Sequence, residues 1–286
     1  MPSLKALRKR IATVRSTQQI TKAMKMVAAA KLRRAQEAAE RARPYAAKLA
    51  ELVAAVAGDV DPEAPIDPLL GRREERRIDL LVLSSDRGLC GGYNANLLRR
   101  AEAFVRERPG VDAAVSVVGR KGLDHFRRRG ARLLAHRLGI LTTPPAEMAA
   151  GLAAELTPRF AAAETDAVYL VYSRFRSAIS QVPTISRLLP VEPATSEGPP
   201  VDYIFEPARP ALLGLLLPRY VEALLTQALL ESVASEHGAR MTAMDNATKN
   251  ASEMMGRLTL LMNRTRQAAI TKELMEIVSG AEALKG

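Results

Sequence analysis

Residues 4–35 read LKALRKRIATVRSTQQITKAMKMVAAAKLRRA, an unbroken helical pattern that decides how the chain is built. Apolar residues recur here every three or four positions, which is the spacing of one face of an α-helix. The stripe runs from Leu4 to Val56, and no proline interrupts it between Pro2 and Pro44. A compact domain of this size cannot bury so long a helix alone, so we expect it to pack against a second long helix. Its members are Leu4, Leu7, Ile11, Val14, Ile20, Met24, Val27, Ala28, Leu32, Ala35, Leu49, Leu52 and Val56.

The same region carries nearly all of the excess positive charge. Residues 1–57 hold 13 Lys and Arg against three acids, a net of +10, whereas the whole chain of 286 residues is +11. No acid precedes Glu37. A basic, amphipathic start is also typical of an organellar transit peptide. We interpret it as a structural helix instead, because the apolar periodicity continues past Glu37 to Leu52 and Val56.

Composition limits the function classes. Apolar residues make up 48% of the chain, which argues against wholesale disorder. The single cysteine, Cys90, excludes an internal disulfide and a thiol-based structural zinc site. The three histidines lack metal-ligand spacing, and no apolar run reaches the roughly 18 residues of a membrane span. We therefore expect a soluble or peripheral protein in a reducing compartment, with no metal and no cofactor.

The middle of the chain changes character. Short β-branched and leucine-rich runs alternate with helical segments, which is the pattern of an α/β layer with a mainly parallel sheet. Strands are predicted at 78–83, 111–118 and 167–172, with a further β segment at 183–191. The intervening helices are predicted at 94–108, 121–129 and 146–163.

Helical periodicity returns from Tyr220 to Leu284, where the chain has no further proline. Its apolar seam keeps a 3.5-residue period, which is typical of a left-handed coiled coil. Basic and acidic residues balance from Arg219 onward, with eight of each. The seam residues are Met241, Met244, Thr248, Ala251, Met255, Leu258, Met262, Thr265 and Ala269.

These patterns predict an α/β fold in which a long antiparallel coiled coil of the N- and C-terminal helices carries an inserted Rossmann-like α/β domain. The predicted parts are an N-terminal coiled-coil helix at 1–57, a linker at 58–77, an α/β foot domain at 78–207 and a C-terminal coiled-coil helix at 208–286. Near the C-terminus, apolar residues from Ala268 to Val278 cover more than one face of the helix. We expect this end to be enclosed by another protein.

The loop at 84–92, SSDRGLCGG, follows a strand and precedes a helix, where phosphate-binding loops are found. It lacks both the P-loop ending and the G-x-G-x-x-G spacing. A sharp glycine turn with a structural or docking role is the favoured interpretation. Cys90 has no histidine near it in sequence, which favours a structural thiol over a nucleophile. No set of residues in the chain has the pattern of an active site.

A nucleic-acid-binding coiled coil is the alternative function, since bZIP-like proteins also join a basic region to heptads. In those proteins the basic block lies outside the zipper. Here the cations interleave with the apolar stripe, and an acidic protein sleeve explains that arrangement as well as DNA does.

Five sequence blocks carry a resemblance to a known family. They are STQQITKAMKMVAAAKL at 16–32, SDRGLCGGYN at 85–94, MDNATKNA at 244–251, RQAAITKEL at 266–274 and EIVSGA at 276–281. In this order, and over the whole chain, they resemble the gamma subunit of bacterial F-type ATP synthases.

The resemblance implies a non-catalytic central-stalk rotor subunit, present once per complex, that couples ion flow through the membrane c-ring to conformational cycling of the catalytic beta subunits. Its implied partners are the alpha and beta subunits of the catalytic hexamer, the epsilon subunit and the c-ring, with no nucleic acid. The implied location is the cytoplasmic face of the bacterial inner membrane, as a peripheral membrane protein. Six residues are implied as beta-subunit contacts. They are Met24, Cys90, Arg240, Arg266, Gln267 and Thr271.

Within these six, Arg266, Gln267 and Thr271 are expected at the beta catch loops, and the Cys90 turn near the beta lever region. One departure from the pattern is Gly238, which falls inside a long helix, where alanine would be about 1 kcal/mol more favourable. We expect local bending at this position.

Overall fold

The computed structural model describes residues 3–57, 67–193 and 206–283, which form long helices at both ends and a five-stranded sheet between them. A short 3-10 helix, Pro68–Leu70, precedes the first strand. The elements are α1 Leu4–Ala57, β1 Arg77–Leu83, α2 Tyr93–Arg106, β2 Asp112–Val118, α3 Arg120–Arg128, β3 Leu133–Arg137, α4 Pro145–Ala161, β4 Ala167–Phe175, β5 Gln181–Leu189 and α5 Arg209–Ala283.

Packing divides the chain into two compact units. The helical unit comprises Met1–Val27 with Met241–Gly286, and the sheet unit comprises Ala28–Arg240. Both α1 and α5 contribute residues to each unit. These limits reflect where residues pack together, and the domain limits given above from the sequence stay predictions.

The sheet has the strand order β3-β2-β1-β4-β5. The first four strands are parallel, and β5 pairs antiparallel with β4 as a hairpin. The order reverses at β1, because the chain first builds outward to β3 and then returns to place β4 on the other side of β1. This is the topology of a Rossmann-like half. It confirms the predicted α/β class.

Both faces of the sheet are covered. One face packs on α2 and α3 through a cluster that includes Leu97, Phe104 and Phe126. The other packs on α4 and on the parts of α1 and α5 that belong to the sheet unit. Strand β1 is therefore buried on both sides and reads as the near-continuous apolar run that such strands require.

In the helical unit α1 and α5 run antiparallel. The hydroxyls of Thr21 and Thr248 lie 2.8 Å apart, and Lys25 Nζ donates to Asp245 Oδ1 at 2.5 Å, so rising numbers on one helix meet falling numbers on the other. Every predicted seam residue of α5 from 241 to 269 is buried or half-buried, and its flanking positions are mostly exposed. The predicted seam is thus confirmed.

The α1 stripe is wrong at two positions. Ile20 and Val27 are 57% and 56% exposed, while the polar Gln18 and Thr21 take the half-buried and buried positions. Apolar periodicity alone could not show whether Ile20 and Val27 are buried or exposed. They are seven residues apart, so they lie together on a second face of the helix.

Other differences concern element limits. Strand β3 has no counterpart in the sequence-based prediction, because a half-buried edge strand containing His136 and Arg137 lacks a buried-strand pattern. Helix α5 begins at Arg209 and continues through Pro218. The predicted linker lies outside the described residues at 58–66. Within its described part, Leu69 and Leu70 lie in the core, whereas the charged residues 72–77 are exposed or half-buried.

Helix α5 contains one stretch that is long and apolar enough to cross a membrane by length and composition. However, 44% of that stretch is buried inside the protein. Leu213, Leu217 and Leu225 of the same helix lie fully buried in the sheet-unit core. A core helix meets the same criterion, and we interpret α5 in that way.

Candidate partner interface

The C-terminal part of α5 presents apolar side chains to solvent. All residues from 270 to 280 are exposed, and we call this stretch the exposed C-terminal segment. Monomeric proteins rarely expose large contiguous apolar surface, so such a segment indicates a partner. Its large apolar members are Ile270, Leu274, Met275, Ile277 and Val278.

Helix α1 of the helical unit adds a second apolar surface. Ile20, Met26 and Val27 are each more than half exposed, on the side of the helix away from the Thr21 seam position. Exposed cations surround them, including Lys22. The surface that the helical unit offers is therefore apolar and basic together, which suits an enclosing partner with apolar and acidic groups.

Four of the six predicted contact residues belong to the helical unit. Arg266, Gln267 and Thr271 are exposed on α5, and Met24 is half-buried on α1. Arg266 and Gln267 lie one turn before Ile270 and Thr271, so they border the exposed C-terminal segment. None of the three α5 side chains has a hydrogen bond or ion pair with another described residue. Their polar groups are therefore available to a partner.

The other two predicted residues, Cys90 and Arg240, are buried in the sheet unit with 2% and 9% exposure. The structure brings them together. Cys90, Tyr93 and Ala239 form a small cluster, and Arg240 Nη2 donates to the carbonyl of Gly88 at 3.2 Å. Arg240 also pairs with Glu236 Oε1 at 2.6 Å.

Their location is the carboxyl edge of the parallel sheet, where α/β proteins bind ligands at the point of strand-order reversal. Here α5 itself occupies that point between β1 and β4. Tyr93 Oη donates to the carbonyl of Ser232 at 3.3 Å, and Ser235 Oγ donates to the carbonyl of Ser173 at 2.8 Å. The crevice that holds a dinucleotide in related topologies is thus filled by a helix of the same chain.

The loop after β1 is tied down by its own polar groups. Asp86 Oδ1 accepts from the amide of Arg120, and Oδ2 accepts from the amides of Gly139 and Ile140. Gly119 has φ +96°, and a Cβ there would lie 2.2 Å from the carbonyl oxygen of Ser84. Only glycine allows β1 and β2 to end in such close contact.

Burial controls the electrostatics of this region. It raises the pKa of Cys90 and of Tyr93, although the charge of Arg240 opposes both shifts. Burial also raises the pKa of Glu236 against the opposing charge of Arg240. His237 is affected in the opposite sense, because burial and then the charges of Arg240 and Lys31 lower its pKa to about 4. A thiol with a raised pKa is a poor nucleophile, which agrees with a structural role for Cys90.

Metal binding has no candidate in the part of the chain that is described. Across 3–57, 67–193 and 206–283, His, Cys, Asp and Glu side chains do not gather in groups of three or more.

Comparison with known proteins supplies the family. The family model described as ATP synthase matches residues 3–284. The chain is 51% identical over 290 residues to the ATP synthase gamma chain of Geobacter sp. (strain M21), and 52% identical over 285 residues to that of Moorella thermoacetica. Both alignments cover 100% of each chain. The chain belongs to the ATP synthase gamma-chain family.

Solved structures agree with the gamma-chain fold. A chain of the central stalk and c-ring structure of the Tetrahymena thermophila mitochondrial ATP synthase matches with TM-score 0.61 and 27% identity, covering 80% of this chain and 99% of that chain. A chain of the Euglena gracilis mitochondrial ATP synthase in rotational state 3 matches with TM-score 0.72 over 98% of this chain and 94% of that one. At 22% identity the second match supports the fold alone.

Two residues with unusual environments in this chain were not predicted from the sequence. Glu236 is the buried partner of Arg240, and Leu89 is 63% exposed with φ +62°. The i, i+4 spacing of Glu236 and Arg240 was a signal for the first. No sequence signal reports the backbone conformation of Leu89.

Proposed function

We propose that this chain is the central-stalk rotor subunit of a bacterial F-type ATP synthase. It couples ion flow through a membrane c-ring to conformational cycling of catalytic beta subunits, and it has no active site of its own. One copy stands in a hexamer of alpha and beta subunits and also joins the epsilon subunit and the c-ring. The complex places it peripherally on the cytoplasmic face of the inner membrane.

The observation that carries the proposal is the exposed C-terminal segment, in a chain whose full length aligns with gamma chains. An exposed helix with a broad apolar face needs a partner to cover that face, and a ring of subunits encloses the helix at every rotor angle. Arg266 and Gln267, which border the segment, and Thr271, which lies within it, then supply polar contacts to beta subunits, together with Met24 on α1.

The mechanism follows from the unequal faces of this shaft. A rotor angle that presents an apolar face to one beta subunit presents a basic or neutral face to the next. Each angle therefore stabilises a different set of beta conformations. Nucleotide affinities change in turn at the three beta sites without chemistry on this chain.

The direct test is assembly of the chain with alpha and beta subunits. We expect a stable complex that hydrolyses ATP, whereas the isolated chain hydrolyses none. Arg266→Ala with Gln267→Ala should weaken ATP-driven rotation or assembly and leave the circular dichroism of the sheet unit unchanged. Arg99→Ala on α2 is the control, since Arg99 is likewise exposed and has no ion pair among the described residues but lies outside the long helices.

Wild-type coupling in the Arg266→Ala, Gln267→Ala complex would count against the catch contacts. ATP turnover by the isolated chain would overturn the non-catalytic assignment. The nucleic-acid-binding alternative predicts salt-dependent binding of random duplex DNA by the isolated chain. The comparisons offer that alternative no support, since the relatives are ATP synthase gamma chains.

A further inference from the structure

Arginines gather at one edge of the sheet, where two helices end. Because β1, β2 and β3 are parallel, the helices between them run the opposite way and end at the amino edge of the sheet. Helix α2 ends at Arg106 before β2 begins, and α3 ends at Arg128 before β3 begins. The two connections, 106–112 and 127–132, hold six arginines, two acids and no lysine, a net charge of +4. We call these arginines the basic edge, and they are Arg106, Arg108, Arg127, Arg128, Arg129 and Arg132.

The two acids of these connections are already engaged by ion pairs within the chain. Asp112 pairs with Arg132, and Glu107 pairs with Arg100 at 3.4 Å. A carboxylate that is paired in this way does little to neutralise further cations beside it. The basic edge therefore keeps an excess of positive charge.

Three arginines carry this excess. Arg106, Arg127 and Arg128 are exposed, and none of them makes an ion pair with another described residue. A cation in the last turn of a helix also interacts favourably with the helix dipole, but that effect falls off within one turn. It accounts for one cation at each helix end and leaves the run of three arginines at 127–129 unexplained.

The remaining arginines hold this surface in place. Arg129 of α3 pairs with Glu102 of α2 at 2.5 Å, which ties the ends of the two helices together. The guanidinium of Arg108 lies over the face of the Phe104 ring, 3.6 Å from its centroid. The three unpaired arginines are therefore carried by helix ends that are fixed to each other and to the core.

We propose that the basic edge binds the headgroups of anionic phospholipids at the membrane surface. This inference rests on the proposed function for one point, the location of the chain at the inner membrane. Arginine fits this ligand, because its planar guanidinium donates two parallel hydrogen bonds to a phosphate group and is weakly hydrated. The cytoplasmic leaflet is negative, and each cation close to it adds to the affinity. The two connections expose no large apolar side chain, so the contact is electrostatic and is weakened by salt.

The experiment measures co-sedimentation of the full chain with vesicles of phosphatidylglycerol and phosphatidylcholine at increasing salt. The basic start of α1 would bind the same vesicles, so every sample carries glutamine in place of four of its cations. These are Lys5, Arg8, Lys9 and Arg10. Vesicles of phosphatidylcholine alone should bind the chain weakly, and equal binding to both kinds of vesicle would overturn the proposal.

Arg106→Gln, Arg127→Gln and Arg128→Gln together should weaken binding to the anionic vesicles by about tenfold or more at low salt. The matched control removes the same charge at the carboxyl edge of the sheet and should stay within about twofold of the parent chain. Equal weakening by the two triple variants would mean that net charge alone governs binding, which overturns the proposal. The control substitutes glutamine for Arg87, Arg120 and Lys121, which are exposed and make no ion pair with another described residue.

Lysine at positions 106, 127 and 128 tests whether charge is what matters. This variant keeps the three cations and should bind the anionic vesicles within about threefold of the parent chain. A loss as large as that of the glutamine variant would overturn the proposal, because a headgroup contact depends on charge.

Two competitors test the source of the phosphate. Inorganic phosphate at the concentration of lipid phosphate should not displace the chain from the vesicles, and full displacement would assign the basic edge to a free anion. Duplex DNA at equal phosphate concentration should compete less well than anionic vesicles. If DNA binds more tightly and the glutamine variant weakens that binding, the edge is a nucleic-acid surface and the lipid assignment is wrong.

These outcomes separate from those of the proposed function, because vesicle binding is measured without the alpha and beta subunits. A wild-type chain that fails to assemble with alpha and beta refutes the rotor assignment. Normal assembly, together with vesicle binding that the glutamine variant leaves unchanged, refutes only this inference.

Discussion

At the scale of single residues, Asp86 joins the ends of three strands. Its carboxylate follows β1 and accepts from the amide at the start of α3, after β2, and from two amides after β3. These distances are 3.1, 2.9 and 3.2 Å. A carboxylate that satisfies several backbone amides contributes more than a neutral acceptor would. The loop that carries Leu89 therefore starts from a fixed point.

Asp86→Ala should lower the free energy of unfolding by about 2–4 kcal/mol, since it leaves three amides without their charged acceptor. Asp86→Asn should lose less, because it keeps one acceptor oxygen. Urea unfolding followed by circular dichroism measures both. Asp124→Ala is the control, as its carboxylate makes no hydrogen bond within the described residues, and it should change stability by less than about 0.5 kcal/mol. An Asp86→Ala protein as stable as that control would refute the role.

His237 gives the protein a pH dependence whose sign follows from burial. Its pKa is lowered from 6.5 to about 4, so below pH 6.5 the unfolded chain binds a proton that the folded chain does not. Stability from this group is complete above pH 6.5 and is lost as the pH falls toward 4. Between pH 7 and pH 5 the loss should be about 2 kcal/mol.

The measurement is urea unfolding at pH 7 and pH 5 for the wild type and for His237→Gln. The variant should lose this part of the pH dependence. Glu236, whose pKa burial raises, acts with the opposite sign in both proteins, so the difference between them isolates His237. Equal pH dependence in the wild type and His237→Gln would contradict the assignment.

At the scale of elements, Gly238 lets α5 approach the β4–β5 hairpin. A Cβ at this position would lie 3.3 Å from Phe175 Cε2, 3.4 Å from Gln181 Nε2 and 3.5 Å from the Cα of Ala178. These contacts are tight but not impossible. The helix glycine that the sequence marked as a departure therefore has a packing reason.

Gly238→Ala should change stability by less than about 1 kcal/mol, because the gain in helix propensity offsets the tight contacts. Gly238→Leu should lower the free energy of unfolding by about 1–3 kcal/mol through overpacking. At Gly256, on the same helix, no atom lies within 4 Å of an added Cβ, so Gly256→Ala should stabilise the isolated chain by about 0.5–1 kcal/mol. Thermal unfolding of the three variants checks the order. Equal stability of Gly238→Leu and the wild type would exclude close packing.

The elements also show which features a sequence can predict. The α5 seam was predictable, because a period of 3.5 held from Met241 to Ala269 leaves one helix face to bury. The burial of Thr21 instead of Ile20 in the α1 seam was not predictable, because an apolar residue that faces a partner protein recurs with the same spacing as one that faces a helix. Burial of Glu236 and Arg240 depends on where α5 crosses the sheet, which no local pattern encodes.

At the scale of the whole molecule, charge and apolar surface are distributed unevenly between the ends of the chain. Residues 1–57 carry a net charge of +10, while the long C-terminal helix is close to neutral and ends in the exposed C-terminal segment. Burial of apolar surface stabilises a complex only once the surfaces are in contact. Charges attract at a distance, over a Debye length of about 8 Å at physiological salt. The two kinds of surface therefore have separable roles in assembly. Charge governs the encounter, and burial governs how long the complex lasts.

Replacing four exposed cations at the start of α1, Lys5, Arg8, Lys9 and Arg10, with glutamine should slow association with the alpha and beta subunits by about tenfold at low salt. The dissociation rate should stay within about twofold of the wild type, because these side chains make no ion pair among the described residues and act at long range. Stopped-flow association at increasing salt measures both effects, and the difference should vanish at high ionic strength. The control removes the same charge from α2 and α3 by glutamine at Arg99, Arg106, Arg127 and Arg128, which are exposed on the sheet unit. If the control slows association equally, net charge alone governs the encounter. If the α1 substitutions slow association more than the control does, the basic helix α1 is the part of the chain that the hexamer binds.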